Sequence, residues 1–215
     1  MDDMESVRLI SATNDGEKLM GYCARVSNPA NQDNPDVAKL LAYCIKKGHW
    51  SVFEHAFMTV EIVTSRGIAP QILRHRSFTF QEFSQRYAVV SDFITYEGRR
   101  QADKNRQSSV DDLPEEAKER FRQAQVEAWE SGQKLYKELL DLGVAKECAR
   151  FVLPSNARTT LYMSGSVRSW IHYLMLRTKP DVQLEHQRIA LKIKDIFAQR
   201  FPIVAKATDE SIHEV

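Results

Sequence analysis

The chain has 215 residues, of which 43% are hydrophobic and 27% charged, with a formal net charge of +1; this suits one globular domain with a sizeable core. Near-balanced charge argues against a general nucleic-acid binder, which draws its affinity from a strongly basic surface. Apolar runs far shorter than the ~20 residues that span a bilayer, and an acidic start, MDDMESVRLI, without a basic region and apolar stretch, lead to the expectation of a cytoplasmic protein that does not act on membranes.

Residues 7–12 predict a first strand. Asp15 can cap a helix over 16–26, with Leu19, Tyr22, Cys23 and Val26 at helical spacing. After a loop over 28–35, a second helix over 36–47 carries Val37, Leu40, Leu41, Cys44 and Ile45 on one face, and Gly48 stops it. Ser51 and Glu54 stand at capping-box spacing for a short helical turn. Residues 57–64 alternate, with Met58, Val60 and Ile62 on one face, as a sheet strand does. A helix over 67–76 would place Gln71, Arg74 and His75 on one side and Ile68 and Ile72 on another. Phe78 and Phe80 begin an extended stretch that slips near Glu82, and 87–90 can resume a strand.

Residues 91–112 are polar and charged and read as a mobile segment, a candidate lid. Pro114 opens a long helix to about 142, with Ala117, Phe121, Ala124, Ala128, Leu135, Leu139 and Leu142 as core candidates. A short helix over 145–153 ends at Pro154, and nothing is assigned between it and Ser166. Val167, Trp170, Ile171 and Leu174 form an i, i+3, i+4, i+7 stripe on a further helix. A last helix over 182–200 buries Ile189, Ile193, Ile196 and Phe197, and the tail beyond Phe201 is expected to fray. The expected class is α+β: a central, mostly antiparallel sheet flanked by helices, in a single domain spanning 1–215 with a long helical arm.

Cys23, Cys44 and Cys148 are widely spaced with no CxxC or CxxH unit, so neither a zinc site nor a disulfide framework is expected. Cys23 and Cys44 read as small core residues. Cys148 reads as a buried, inert thiol, although Arg150 nearby could lower its pKa. His55 and His186 read as structural.

The chemistry concentrates in 71–87, QILRHRSFTFQEFSQRY. Clustered guanidinium groups repel one another unless an anion neutralises them, and their planar forks suit phosphate and carboxylate. Interleaved aromatics offer faces for ring stacking. A pocket for a phosphorylated planar ligand fits; so does a surface loop salt-bridged to neighbouring carboxylates. No GxGxxG or GxxxxGK[ST] occurs, so side chains would have to hold phosphates.

Arg74-His75-Arg76, followed by Ser84 and then Arg86-Tyr87, resembles the signature of the flavin-dependent thymidylate synthases. Gly48 to His55 resembles the upstream motif of that family, Glu147 to Arg150 leading to Leu153-Pro154 its third block, and Ser166 to Arg177 its fourth. The resemblance covers about 11–201. It implies conversion of dUMP to dTMP, with methylenetetrahydrofolate as carbon donor, FAD as cofactor and NADPH as reductant. In that chemistry the reduced flavin delivers hydride to the pyrimidine and no enzyme nucleophile is needed.

The resemblance implies dUMP contacts from Gln71, Ile72, Leu73, Arg74, Glu82, Phe83, Ser84, Gln85, Arg86, Arg150 and Arg177. It makes Arg177 the catalytic residue, a fixed cation favouring ionisation of the uracil N3; read alone, Arg177 is a cation near a helix C-terminus. For FAD it implies Ser51, Arg74, His75, Arg76, Glu82, Ser166, Val167, Arg168 and His172. His49 is a candidate flavin-side contact or a structural histidine. Ser166 and His172 depart from the asparagines of some members. The family further implies a homotetramer with shared active sites. Two other classes stay open: a cysteine-dependent thymidylate synthase using Cys148, and a nucleotide- or RNA-binding module using the aromatic and basic central stretch.

Overall fold

A computed structural model describes residues 5–213. Strand β2 (Phe57–Ser65) turns Met58, Val60 and Ile62 to one face, and all three are fully buried. It pairs with β1 (Ser6–Ala12) on one side and β6 (Arg158–Ser166) on the other, and β6 pairs with β3 (Thr79–Glu82). The order is β1-β2-β6-β3, antiparallel throughout. Met163 of β6 lies opposite Val60 and Phe80. This strand, which the sequence reading left unassigned, is central: Thr159, Leu161 and Met163 point into the core while Arg158 and Tyr162 face out. Residues 87–90 do not resume a strand. Tyr87 and Ala88 instead donate their backbone N–H groups to the Ser84 carbonyl in a turn.

The helices form where periodicity places them, with three faces misjudged. Helix α1 (Gly16–Ala24) buries Met20 and Gly21, while Leu19, Tyr22 and Val26 are exposed. Gly21 decides this, since a Cβ there would meet Val37 at 2.2 Å, and its absence lets α2 (Ala38–Lys47) approach. Asp15 makes no side-chain cap and takes a left-handed φ of 48°. Helix α2 buries Leu41, Cys44 and Ile45 and ends at Gly48, φ 69°, as expected. Helix α3 (Ala69–Leu73) is shorter than predicted, but Ile68 and Ile72 are buried as expected, with Ala69 beside them. Between β3 and the next helix, β4 (Arg100–Gln101) and β5 (Ser109–Val110) form a small hairpin within the expected lid.

Helix α4 (Glu115–Asp141) buries Trp129, Gly132 and Tyr136, whereas Ala117, Phe121, Ala128, Leu135 and Leu142 are exposed. This narrow stripe packs on the body, with Trp129 stacked on Phe93 at 5.0 Å, and Gln125 and Gln133 bond to the Tyr96 and Val90 backbones. Helix α5 (Lys146–Ala149) leads into a 3₁₀ turn over Arg150–Val152. Cys148 on it is exposed, not buried, because Ala149 takes the inward position. Helix α6 (Val167–Arg177) buries Val167, Trp170, Ile171 and Leu174, the predicted stripe. Helix α7 (Leu184–Arg200) buries Ile189, Ile193 and Phe197. The tail does not fray at Phe201: helix α8 (Pro202–His213) packs on α2 and α7 and buries Val204 and Ala207. Among the described residues no helix is long and apolar enough to cross a membrane.

Candidate functional site

The motif residues are held where β2, β6 and α6 meet. Phe78 anchors the stretch after Arg76: its ring lies over Gly165 and edge-on to Trp170 at 4.6 Å. That contact sets His75 against the end of α6. Arg177, the last residue of α6, donates from Nε to His75 Nε2 at 2.9 Å. His75 packs edge-on to Tyr173 at 4.9 Å and to His186 at 6.0 Å. The Tyr173 hydroxyl and His186 Nε2 are hydrogen-bonded at 3.1 Å, both groups buried. Burial first, and the Arg177 charge second, lower the His75 pKa to about 4 and that of His186 to about 3. Both rings are therefore neutral near pH 7. Burial pushes the Tyr173 phenol up.

Gln71, one turn before His75, donates from its amide to Gln183. Gln183 in turn donates to Glu185 at 3.0 Å, and Arg99 closes on Glu185 at 2.6 Å. This gathers Gln71, His75 and Arg177 with three residues the sequence reading missed or called structural: Tyr173, Gln183 and His186. His186 sits on the buried stripe of α7, and nothing in its spacing distinguishes it from a core histidine. A cavity of about 660 Å³ lies beyond Gln183, lined by Tyr96, Arg99, Phe121 and Asn156 among others; none of the sequence-predicted site residues lines it.

A second group surrounds Glu82. Its carboxylate takes Arg66 Nη1 at 2.9 Å and the Thr159 hydroxyl at 2.9 Å, while Arg66 Nη2 donates to the Phe83 carbonyl at 2.8 Å. Gln85 is buried; Ser84, Arg86 and Tyr87 are exposed. Arg86 Nε meets Glu147 at 2.9 Å, and Arg150 Nε donates to the Glu147 carbonyl at 3.2 Å. The loop after β3 and the turn after α5 therefore bring Arg86 and Arg150 to one surface residue, Glu147, the first at its carboxylate and the second at its backbone carbonyl. Arg150 also lies over the exposed Phe151 ring at 5.4 Å.

A third group lies where β6 runs into α6. The Ser166 hydroxyl accepts from Ser169 N at 3.3 Å as the N-cap. Arg168 pairs with Glu54 at 2.9 Å. A hydrogen bond from Ser166, then the Arg168 charge, holds the Glu54 carboxyl below its usual range against the opposing effect of burial. Glu54 thus braces Arg168 and makes no capping box; Ser51 lies inside the 3₁₀ turn over Trp50–Glu54, whose N-cap is His49. His172, its pKa lowered by burial and then by Arg168, faces Trp50 with ring centroids 4.8 Å apart. His49 meets Tyr43 edge-on at 5.8 Å. Arg74 and Arg76 are exposed, Leu73 is half-buried, and the Ile72 and Val167 side chains are wholly buried in the core, so only their backbones can reach a ligand. Among the described residues no cluster of metal-ligating side chains occurs.

Fold and site define the class: a mixed α and β enzyme whose polar centre is built from arginines, carboxamides and neutral imidazoles, with no glycine cradle. The family model described as "Thymidylate synthase complementing protein" matches residues 8–203. The chain belongs to the flavin-dependent thymidylate synthase family. It is 54% identical over 213 residues to the flavin-dependent thymidylate synthase of Synechocystis sp., covering 94% of this chain and 99% of that one. It is 51% identical over 213 residues to the probable flavin-dependent thymidylate synthase of Paramecium bursaria Chlorella virus 1, covering 95% and 99%. Among solved structures it resembles the UMP/dUMP methylase PolB from Streptomyces cacaoi bound with 5-Br dUMP, at a TM-score of 0.86 and 25% identity over 96% of this chain and 95% of that one.

Proposed function

We propose that the chain converts dUMP to dTMP with FAD as cofactor, methylenetetrahydrofolate as carbon donor and NADPH as reductant. The observation that carries this reading is Arg177, bonded through Nε to a neutral imidazole at the end of a buried aromatic group. Its terminal nitrogens are the ones left for a ligand, and a guanidinium fixed in this way stabilises negative charge on a pyrimidine ring without transferring a proton. Gln71 supplies a carboxamide on the same side of α3. Arg74, Arg86 and Arg150 supply cations for the nucleotide phosphate, with Glu82, Ser84 and Gln85 as polar partners and Leu73 and Phe83 beside them. The PolB structure bound with 5-Br dUMP supports a pyrimidine nucleotide as substrate.

The donor set fits FAD. Arg74, Arg76 and Arg168 are exposed cations suited to a pyrophosphate, and Ser51, Ser166 and Glu82 supply polar contacts. His172 beside Trp50 offers a neutral ring edge, and His49 stands nearby in sequence on the same turn. When bound, the flavin would supply the electrons for reducing the transferred carbon. The protein's part is to hold two rings together and to set charge, so Ser84 binds and does not attack. Ser84→Ala is expected to retain measurable dTMP formation, read from a radiolabelled-dUMP assay.

The direct test is incubation with dUMP, methylenetetrahydrofolate, FAD and NADPH, with dTMP measured and each component omitted in turn. Turnover that survives omission of FAD from the flavin-free protein would overturn the proposal. Arg177→Ala is expected to lower kcat/KM for dUMP by about 100-fold or more, the scale of losing one fixed donor at a developing charge. Exposure of Cys148 is the observation that favours a thiol-based synthase. Cys148→Ser separates the two, and full turnover is expected here.

The proposal extends to a homotetramer with shared sites, with Arg86 and Arg150, joined at Glu147, at its interface. Tyr87 and Phe151, 85% and 80% exposed beside those two arginines, are suited to burial against another copy. Light scattering is expected to give four times the chain mass.

A further inference from the structure

We propose a second binding site, in the cavity of about 660 Å³ beside Gln183, that takes an uncharged nucleoside. One wall is the turn over residues 154–157, which neighbouring backbone holds in place. The Gly67 N–H bonds to the Ser155 carbonyl at 2.7 Å, the Arg66 N–H to the Ala157 carbonyl at 2.9 Å, and the Ile94 N–H to the Asn156 carbonyl at 2.9 Å. Asn156 lines the cavity and is 9% exposed, yet neither its amide nitrogen nor its amide oxygen has a partner among the described residues. A buried carboxamide with donor and acceptor both unpaired is costly, and native proteins pair nearly all such groups.

A second unpaired donor belongs to another lining residue. Arg99 donates from Nε to the Ser109 hydroxyl at 2.9 Å and from Nη2 to Glu185 at 2.6 Å, which fixes the guanidinium plane. Its Nη1 is buried and unbonded among the described residues. Tyr96 is fixed as well: its backbone N–H and carbonyl both bond to the Gln125 carboxamide at 2.8 Å, and its hydroxyl bonds to Ser65 Oγ at 2.6 Å. Phe121 packs on Gly98, where a Cβ would stand 3.2 Å from its ring, and is 43% exposed. The lining is thus set in advance, as in most small-molecule sites.

The chemistry of the lining selects the occupant. A side-chain carboxamide presents an N–H donor beside a carbonyl acceptor, the complement of the donor–acceptor edge of a nucleobase. Arg99 Nη1 adds a donor for a ring nitrogen or a ribose oxygen, and the Phe121 ring adds a face for stacking. Charge argues against a phosphate. Of the charged residues lining the cavity, Arg99 stands against Glu97 and Glu185, and Arg99 is already paired with Glu185. This separates the cavity from the arginine-rich surfaces proposed for dUMP and FAD.

The test is calorimetry on the full-length protein loaded with FAD and saturated with dUMP, so that those surfaces are occupied. Adenosine and thymidine are the probes, and AMP is the charged control. At least one nucleoside is expected to bind at one site per chain, with AMP about tenfold weaker than adenosine or more, as for an anion entering a negatively lined space. Asn156→Leu, which removes both amide groups, is expected to weaken nucleoside binding about tenfold or more. Phe121→Ala removes a half-exposed ring and should weaken it about fivefold or more, the scale of one base stacked on an aromatic side chain. Affinity for dUMP should stay within about twofold in both variants, since neither residue belongs to its proposed site. If Asn156→Leu fails to fold, Asn156→Ala takes its place.

No binding of either nucleoside would overturn the proposal, as would nucleoside binding that dUMP abolishes. Equal affinity in Asn156→Leu and the unaltered protein, or AMP binding as tightly as adenosine, would do the same. Failure of the dUMP reading shows differently, as absent dUMP binding by the unaltered protein; the titrations are then run without dUMP, and their dependence on Asn156 still decides.

Discussion

His75 and His186 give the site a signature in acid. Both pKa values are depressed in the folded chain, to about 4 and about 3, from the ordinary 6.5. Between those limits the unfolded chain binds more protons, so stability rises with pH across the window. The contribution is complete above about pH 6.5, is lost progressively on acidification, and levels off below the folded values. Urea midpoints measured from about pH 7.5 down to about pH 4.5 should fall, and His75→Phe should make that fall shallower. A midpoint independent of pH would mean that the imidazoles are solvated. The arginines and Gln71 stand out in the sequence by type and spacing, which fit an anionic ligand. Gln183 and Tyr173 do not, because a glutamine before a helix and a tyrosine inside an apolar stripe carry no such mark; only the tertiary fold sets Tyr173 against His75 and Gln183 against Gln71.

At the level of elements, Gly165 and Phe78 connect the motif to the sheet. A Cβ at Gly165 would stand 2.5 Å from the Phe78 ring, which is itself against Trp170. Gly165→Ala is expected to destabilise by about 1–3 kcal/mol, read from urea unfolding, as overpacking does. The larger consequence is displacement of His75. Period-3.6 helices such as α2 and α6 were readable because their apolar stripes face one solid core. Helix α4 was not: its buried stripe is Trp129, Gly132 and Tyr136, and a stripe that includes a glycine does not register as hydrophobic. Strand β6 was missed for a similar reason, since threonine, serine and glycine dilute its alternation although it pairs on both edges.

Across the whole molecule, the C-terminal helix closes the core. Phe201 is fully buried against the Gly16 position, Val204 is fully buried, and α8 covers α2. A chain ending at Phe201 is expected to lose at least about 2 kcal/mol, the burial of one valine side chain with its neighbours, seen as a lower unfolding midpoint by circular dichroism. The sequence reading set this segment aside as a frayed end because termini usually are; tertiary burial overrides that expectation here.

Strand β6 passes into α6 without a loop, Ser166 ending the one and capping the other. From Arg158 to Arg177 the chain is therefore a single ruled rod, with paired rungs for half its length and helical turns for the rest. Inserting one residue at the joint would swing Arg168, His172 and Arg177 by roughly 100° about the axis, with no slack nearby to absorb the twist. Twenty positions here can change in kind but not in number, whereas the hairpin between β4 and β5 is tied only to itself at its tip and can be lengthened.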